Sequence, residues 1–158
     1  MNSQLGDESR VYIIAEAGVN HNGDIELARE MVRSAAECGV DCVKFQTFRA
    51  EEFMATRGVE YCYNSAGRAV TEDMYDMFSR LELPASWHVQ LFDYARELGL
   101  IPLTSVADPL SAKVAEEAGS VAYKLASEDL INLPLLKHMA TMGRPLLLST
   151  GMADEQEI

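Results

Sequence analysis

Residues 100–125, LIPLTSVADPLSAKVAEEAGSVAYKL, predict one complete unit of strand, helix and strand. Residues 100–104 and 121–125 are short, mostly apolar runs, which are typical of strands buried on both faces of a parallel sheet. Between them, Asp108 is suited to cap a helix, and Pro109 takes the first helical position, where its missing N–H costs no hydrogen bond. Gly119 predicts the end of this helix. The stretch therefore predicts a right-handed βαβ unit.

The same alternation extends outward in both directions. Apolar runs at residues 11–16, 41–46 and 145–149 predict three further strands. The spacing of apolar residues predicts helices that begin at Asp24, Ser86 and Leu133, a short helix near residues 72–81, and a last helix that begins at Asp154. Strands joined by helices in this way pair in parallel, with the helices covering the faces of the sheet. We therefore predict the α/β class.

Two α/β architectures accommodate such units, an open doubly wound sheet and a (β/α)8 TIM barrel. The first turn, Gly18-Val-Asn-His-Asn-Gly23, has only the outer glycines of the GxGxxG dinucleotide-binding motif, which weakens the case for the doubly wound sheet. We predict a barrel of which about the first five βα units are present. Residues 1–10 are then a polar N-terminal tail, residues 11–158 the N-terminal portion of the barrel domain, and residues 47–84 an insertion.

The composition is that of an ordinary globular chain with a strong acidic excess. Of the 158 residues, 48% are hydrophobic, and 13 Lys and Arg oppose 25 Asp and Glu, for a net charge of −12. Such a chain repels phosphate backbones and anionic lipids, so we expect no nucleic-acid partner and no membrane partner. The N-terminal MNSQLGDESR lacks the apolar segment of a signal peptide, and the three cysteines show no CxxC spacing. Both features predict a cytoplasmic protein.

Polar residues occur where the predicted strands end. Ligands of parallel α/β folds gather at the carboxyl ends of the strands, so these residues are the candidates for a site. They are Glu16, Lys44, Gln46, Thr104, Lys124, Ser127 and Ser149. Because one carboxylate does not balance two buried ammonium groups, the lysines predict a site for a phosphate or a carboxylate. The alternative is an internal pair of lysine and glutamate with no ligand.

Other catalytic signatures are missing from the sequence. No Ser-His-Asp order, HExxH motif or Walker motif occurs. His21 lies in a loop between two asparagines and is a weak candidate for a site, whereas His88 and His138 are predicted on helix surfaces. The sequence shows no set of metal ligands around His21.

Four motifs together resemble the sialic acid (N-acetylneuraminate) synthase family. They are Ile14-Ala-Glu-Ala-Gly-Val-Asn-His-Asn-Gly-Asp24, Val43-Lys-Phe-Gln-Thr47, Tyr123-Lys-Leu-Ala-Ser127 and Leu148-Ser-Thr-Gly-Met152. The resemblance implies a TIM barrel and a transferase of carbohydrate biosynthesis. Its members condense phosphoenolpyruvate with an N-acetylated amino sugar such as N-acetylmannosamine and release phosphate, usually with a divalent metal, Mn²⁺ or Mg²⁺.

The same resemblance implies roles for the residues at the strand ends. Five positions correspond to those that bind phosphoenolpyruvate in the family: Lys44, Thr104, Lys124, Ser127 and Ser149. Gln46 and Glu16 correspond to positions facing the acceptor sugar and the metal, which makes Glu16 the catalytic candidate. The family's metal is held by two histidines from later strands, so the resemblance implies no metal ligand set within this chain. Leu103-Thr-Ser-Val-Ala-Asp108 and Glu128 depart from the common pattern and resemble the branch of spore-coat polysaccharide biosynthesis.

Three functional hypotheses follow. The first is the N-terminal part of a phosphoenolpyruvate-dependent sugar-acid synthase, inactive alone, with the remaining strands and any C-terminal antifreeze-like domain outside this sequence. The second is a truncated module without catalysis that associates with another copy through its open sheet edges, and for this reason we expect a homo-oligomer. The third is a TIM-barrel aldolase in which Lys124 forms a Schiff base.

Overall fold

A five-stranded parallel sheet is the centre of the fold. The computed structural model describes residues 10–65 and 67–158. Its strands in chain order are β1 (Ile14–Gly18), β2 (Cys42–Thr47), β3 (Glu60–Ser65), β4 (Arg68–Asp73), β5 (Ile101–Val106), β6 (Tyr123–Leu125) and β7 (Leu146–Leu148). The sheet order is β1-β2-β5-β6-β7 with every neighbouring pair parallel, as the sequence predicts. β3 and β4 form a separate antiparallel hairpin.

Helices connect the strands of the sheet. They are α1 (Ile25–Glu37), α2 (Ala50–Phe53), α3 (Met74–Leu81), α4 (Ala85–Glu97), α5 (Pro109–Glu117) and α6 (Leu133–Thr141). A 3₁₀ helix, Ser127–Ile131, follows β6 directly. No helix of residues 10–65 and 67–158 is long and apolar enough to cross a bilayer.

Local capping explains where two of the main helices begin. The Asp24 carboxylate accepts hydrogen bonds from the backbone N–H groups of Glu26 and Leu27, at 2.8 and 3.3 Å. The Asp108 carboxylate accepts one from the Ser111 N–H at 2.8 Å, and Pro109 follows it at the first helical position. These contacts satisfy donors that have no partner inside the helix. Both predicted helix starts are confirmed.

Apolar residues pack on both faces of the sheet. On the face covered by α1 and α4, Val43 and Phe45 pack against Val32 and Leu91. On the opposite face, a smaller cluster of Cys42, Leu103 and Ala122 is packed against Ile14, Ile101 and Leu147. Successive strand residues point to opposite faces, so β1 and β2 supply residues to both clusters, whereas Val106, Tyr123, Leu125 and Leu146 of the later strands pack in a third cluster with α5 and α6. We call the face toward α1 and α4 the outer face and the other the inner face.

One local prediction is incomplete and two are wrong. The insertion contains the predicted short helix as α3, but it also contains α2 and the β3–β4 hairpin, which was not predicted because its strands are largely exposed and show no apolar run. α4 begins at Ala85 after Pro84, so Ser86 lies within the first turn and does not cap it. Asp154 begins only a turn, in which its carboxylate accepts from the N–H groups of Gln156 and Glu157, and the structure shows no helix from there to Ile158.

The predicted N-terminal tail lies outside the described residues, except for Arg10. The Arg10 guanidinium forms an ion pair with the Asp41 carboxylate and lies 5.1 Å from the centre of the Tyr12 ring. Asp41 also accepts from the backbone N–H of Ile13 at 2.8 Å. These contacts tie the segment before β1 to the amino end of β2.

Candidate functional site

Glu16, Lys44 and Lys124 line a single cavity on the inner face of the sheet. The cavity has a volume of about 130 Å³, and we call it the lysine cavity. Its lining residues are Ile14, Glu16, Lys44, Leu103, Tyr123, Lys124 and Leu147. The two lysines therefore face one cavity. The strand register explains it, because Lys44 lies opposite Glu16 in the β1–β2 pairing and Lys124 lies opposite Ser105 in the β5–β6 pairing.

Lys44 has partners from the strands on both sides of β2. Its ammonium forms an ion pair with the Glu16 carboxylate and donates a hydrogen bond of 3.2 Å to the Ser105 hydroxyl. The Lys44 side chain is 12% exposed, whereas that of Glu16 is 49% exposed. Glu16 therefore neutralises Lys44 and still presents part of its carboxylate to solvent.

Lys124 forms no ion pair with a carboxylate in the part of the chain that the structure describes. Its ammonium donates to the backbone carbonyl of Leu125. Burial, and then the positive charge of Lys44, lower the pKa of Lys124. An anion bound beside the two lysines would relieve both effects, because it would supply the missing counter-charge.

On β5, the side chain that faces the lysine cavity is that of Ser105 and not that of Thr104. The Thr104 hydroxyl points to the outer face, where it lies 2.7 Å from the Thr47 hydroxyl. Ser105, the next residue, points to the inner face and accepts from Lys44. The predicted contact of Thr104 with a ligand in this cavity is thus wrong, because a shift of one residue in a strand reverses the face. Sequence reasoning missed Ser105, although the alternation along residues 101–106 contained the information.

Gln46 lies beside Glu16 at the carboxyl ends of β1 and β2. Gly18, with φ +55°, ends β1, and a Cβ placed on it would lie 3.3 Å from the Glu16 Oε1 and 3.5 Å from the Gln46 Nε2. The carboxylate and the amide therefore approach the same point. Gly18 is suited to this position because it adopts a positive φ and leaves room for both side chains.

A second cavity, of about 290 Å³, lies at the carboxyl ends of β2, β5 and β6. We call it the rim cavity. Its lining residues are Gln46, Thr47, Phe48, Phe53, Phe78, Ser105, Val106, Ala107, Ala126, Glu128 and Asp129. Gln46 and Ser105 thus border the rim cavity from the strands that carry the lysine cavity. Its aromatic wall comes from the insertion, where Phe53 and Phe78 lie 4.8 Å apart between ring centroids.

Asp129 lines the rim cavity and was not singled out from the sequence. It is buried in the 3₁₀ helix after β6 and accepts a hydrogen bond of 3.2 Å from the Asn132 side-chain amide. Burial raises the pKa of Asp129, and the neighbouring charge of Glu128 adds to the effect. The sequence offered one indication of this position, because Asp129 is two residues after the candidate Ser127. Burial thus makes the Asp129 carboxyl easier to protonate than an exposed aspartate.

Ser127 begins the 3₁₀ helix that follows β6, and Ser149 lies in the loop that follows β7. The Ser127 hydroxyl lies 2.9 Å from the point that a Cβ on Gly151 would occupy, so the two loops touch. The Ser149 N–H donates to the Leu125 carbonyl at 3.1 Å and extends the pairing of β6 with β7. Neither serine lines the lysine cavity, and their contacts with a ligand stay predictions.

Two histidines are buried on the outer face, away from the lysines. The His21 ring lies 6.4 Å from the rings of Phe45 and Trp87, and its Nδ1 accepts from the Gly23 N–H at 3.1 Å. His88 is buried against Thr47, so its predicted surface position is wrong, whereas His138 is exposed as expected. Burial lowers the pKa of both His21 and His88.

The described residues do not fit the metal that the family resemblance implies. Glu16 and Gln46 offer oxygen donors, which Mn²⁺ and Mg²⁺ accept. However, residues 10–65 and 67–158 contain no group of three His, Cys, Asp or Glu side chains placed to hold an ion. The ligand set for such a metal is therefore incomplete in this part of the chain.

Comparison with known proteins agrees with this architecture. The chain is 40% identical over 155 residues to an N,N'-diacetyllegionaminic acid synthase of Legionella pneumophila, covering 97% of this chain and 43% of that protein. It is 37% identical over 157 residues to the spore coat polysaccharide biosynthesis protein SpsE of Bacillus subtilis, covering 99% of this chain and 41% of that protein.

A solved structure shows the same fold. The N-acetylneuraminic acid synthetase of Leptospira borgpetersenii, in complex with citrate, superimposes with a TM-score of 0.79 at 28% identity over 94% of this chain and 47% of that one. The chain thus spans less than half the length of these relatives. The predicted fold, the first five units of a (β/α)8 barrel, is confirmed. Because residues 31–158 match the NeuB family, the chain belongs to that family.

Proposed function

We propose that the lysine cavity and the adjoining rim cavity bind phosphoenolpyruvate, and that this chain is the phosphoenolpyruvate-binding part of a sugar-acid synthase. The observation that supports this most is the charge balance of the lysine cavity. Glu16 neutralises Lys44, while Lys124 has no carboxylate partner among the described residues. A phosphate or carboxylate would complete the pairing, and ammonium groups bind such anions through charge-assisted hydrogen bonds.

The known reactions of relatives indicate the class of reaction. Relatives include synthases of diacetyllegionaminic acid and of N-acetylneuraminate 9-phosphate. We infer that C3 of phosphoenolpyruvate forms a bond to the aldehyde carbon of an N-acetylated amino sugar. Water then adds at C2, and phosphate leaves. The acceptor would occupy the rim cavity, whose aromatic wall and carboxylates suit the apolar face and the hydroxyls of a sugar.

The residues of this chain have separate tasks in such a reaction. Lys44 and Lys124 would hold the anionic groups of phosphoenolpyruvate, and Ser105, Ser127 and Ser149 would donate neutral hydrogen bonds. Asp129, which lines the rim cavity, would donate a proton to the new alkoxide of the sugar, and burial, which raises the pKa of Asp129, favours this role. Glu16 would keep Lys44 oriented toward the cavity.

Isothermal titration with phosphoenolpyruvate tests the proposal. The wild-type chain should bind it, and Lys124→Ala should weaken binding by about tenfold or more, since a hydrogen bond to a charged group contributes ~1.5–3 kcal/mol. Lys137→Ala is the matched control, because Lys137 is exposed on α6. Equal affinities of the wild type and Lys124→Ala would contradict the proposal.

The lowered pKa of Lys124 favours a second candidate, a Schiff-base aldolase. A lysine must be neutral to attack a carbonyl, and burial beside Lys44 assists that state. Borohydride treatment in the presence of pyruvate would then attach the substrate to Lys124, with a mass increase of the corresponding peptide. Phosphoenolpyruvate binding without any such adduct would support the synthase, whereas trapping at Lys124 would support the aldolase.

A further inference from the structure

His88 is the end of a buried chain of hydrogen bonds on the outer face of the sheet. Its Nε2 lies 2.7 Å from the Thr47 hydroxyl, which lies 2.7 Å from the Thr104 hydroxyl. The exposed fractions of His88, Thr47 and Thr104 are 1%, 5% and 0%. The chain thus joins α4 to the carboxyl ends of β2 and β5 through buried side chains, of which Thr47 also lines the rim cavity.

The direction of these hydrogen bonds follows from the other ring nitrogen. The His88 Nδ1 lies 3.0 Å from the Pro84 carbonyl, which only accepts, so Nδ1 carries a proton. In a neutral ring Nε2 then accepts, and the Thr47 hydroxyl must donate to it. With its proton engaged there, Thr47 accepts from the Thr104 hydroxyl. The Thr104 proton is shared with the Ser105 carbonyl at 3.1 Å, so the chain runs from Thr104 through Thr47 to His88 and also touches the backbone of Ser105.

Each threonine of the chain lies next to a residue of the inner face. Thr47 follows Gln46, and Thr104 precedes Ser105, and these two inner-face residues are paired in the β2–β5 register. Ser105 accepts from Lys44, and Gln46 lines the rim cavity. A bond between the Thr47 and Thr104 side chains therefore sets the spacing of the two strand ends from behind the site.

We propose that His88 is a positioning residue, which holds the ends of β2 and β5 through Thr47 and Thr104 so that Gln46 and Ser105 meet the ligand in a defined geometry. His88 touches no ligand in this arrangement, because it lies on the opposite face of the sheet. The inference rests on the proposed binding of phosphoenolpyruvate at the inner face.

Binding measurements on four variants test this role. His88→Phe, which keeps the ring but loses the acceptor, and Thr104→Val, which keeps the shape but loses the hydroxyl, should each weaken phosphoenolpyruvate binding about three- to tenfold, the effect of one lost hydrogen bond. His88→Gln, whose amide oxygen still accepts from Thr47, should recover most of the affinity. His138→Phe, on the exposed face of α6, is the control and should bind like the wild type.

A double variant separates positioning from general loss of stability. Since His88→Phe and Thr104→Val break the same chain, together they should weaken binding no more than either alone. Losses that multiply would overturn the inference, as would wild-type affinity in His88→Phe. Thr104→Val removes a single hydroxyl, so it decides the question if the larger change at His88 prevents folding.

Nuclear magnetic resonance supplies a readout that does not need the ligand. The ring ¹⁵N shifts should show a protonated Nδ1 and an unprotonated Nε2 for His88, and the opposite tautomer would overturn the inference. In His88→Phe, the amide signals of Gln46 and Ser105 should move, and unmoved signals would overturn it. If the wild type fails to bind phosphoenolpyruvate, the proposed function fails, and these signals alone decide whether His88 positions the strand ends.

Discussion

Ser105 of β5 lies in register with Lys124 of β6, and its hydroxyl accepts a hydrogen bond of 3.2 Å from Lys44 of β2. This serine therefore lies between the two lysines that are proposed to bind an anion. The sequence prediction chose the neighbouring residue, Thr104, which points to the other face of β5.

Ser105→Ala should weaken phosphoenolpyruvate binding by about threefold or more, because Lys44 loses a hydrogen-bond acceptor and the ligand loses a donor. Titration calorimetry measures the change. Ser86→Ala, at an exposed position in the first turn of α4, is the matched control and should leave the affinity unchanged. An unaltered affinity in Ser105→Ala would remove this residue from the site.

Gly18→Ala should lower the free energy of unfolding by about 1–2 kcal/mol, because a residue with a Cβ is strained at φ +55°. The new Cβ would also crowd the Glu16 carboxylate at 3.3 Å and the Gln46 amide at 3.5 Å. Gly58→Ala is the control, since Gly58 has φ +84° but no atom within 4 Å of an added Cβ. Urea unfolding should show similar losses for both variants, while only Gly18→Ala weakens ligand binding. Equal binding in the two variants would count against a role for Glu16 and Gln46.

The stability of the protein should fall as the pH decreases below about 6.5. Burial lowers the pKa of His21 and of His88 from the ordinary value of 6.5, so the unfolded state takes up protons that the folded state does not. The contribution of these two histidines to the free energy of unfolding is fully present above pH 6.5. It is lost as the pH falls toward the pKa values of the histidines in the folded state. Urea midpoints at pH 7.5 and 5.5 measure the effect.

The matched variants for this pH dependence are His88→Gln and His138→Gln. The first should make the stability less dependent on pH, whereas the second should leave the dependence unchanged, because His138 is exposed. If the urea midpoint changes with pH by the same amount in His88→Gln and in the wild type, His88 does not contribute to the pH dependence of stability.

The 158-residue chain alone should bind phosphoenolpyruvate without measurable synthase turnover. Each outer strand of the sheet, β1 and β7, has one edge with no partner strand within the described residues, which leaves the lysine cavity open to water and weakens its electrostatic contacts. Phosphate release with phosphoenolpyruvate, Mn²⁺ and a panel of N-acetylated amino sugars is the assay. The Legionella diacetyllegionaminic acid synthase serves as the positive control, and turnover near ~1 s⁻¹ by this chain would contradict the expectation.

The chain should also associate with a second copy, because the unpaired edges of β1 and β7 offer backbone donors and acceptors to another strand. Light scattering after size exclusion should give a mass above the 17.5 kDa of one chain. Lysine substitution at Ile13, an exposed residue just before β1, should shift the population toward monomer, while the same change at Val89 on α4 should not. A monomer at every concentration tested would rule out association.

Sequence reasoning predicted the order and direction of the sheet strands because their signals are local. Asp24 and Asp108 cap helices through contacts within three residues, and apolar runs between capped helices indicate strands wherever they pack. The lysines were found for the same reason, since an ammonium group at the end of an apolar run needs a counter-charge in any parallel sheet.

The missed features leave no apolar pattern in the sequence. The β3–β4 hairpin is held by pairing between its own exposed strands, with Gly67 at φ +78° in its turn, so no apolar pattern indicated it. Asp129 stands out only in the tertiary structure, where the 3₁₀ helix after β6 borders the rim cavity.

What the sequence by itself determined is the succession of βα units and the concentration of charge at the ends of the strands. What only the tertiary structure decided is the face on which each residue acts. Thr104 and Ser105 are adjacent hydroxyl residues, yet one joins a buried chain to His88 and the other lies between Lys44 and Lys124. The physical reason is that strand side chains alternate with a period of two, so a difference of one residue in register exchanges the faces, and packing against α1 and α4 decides which face is outer.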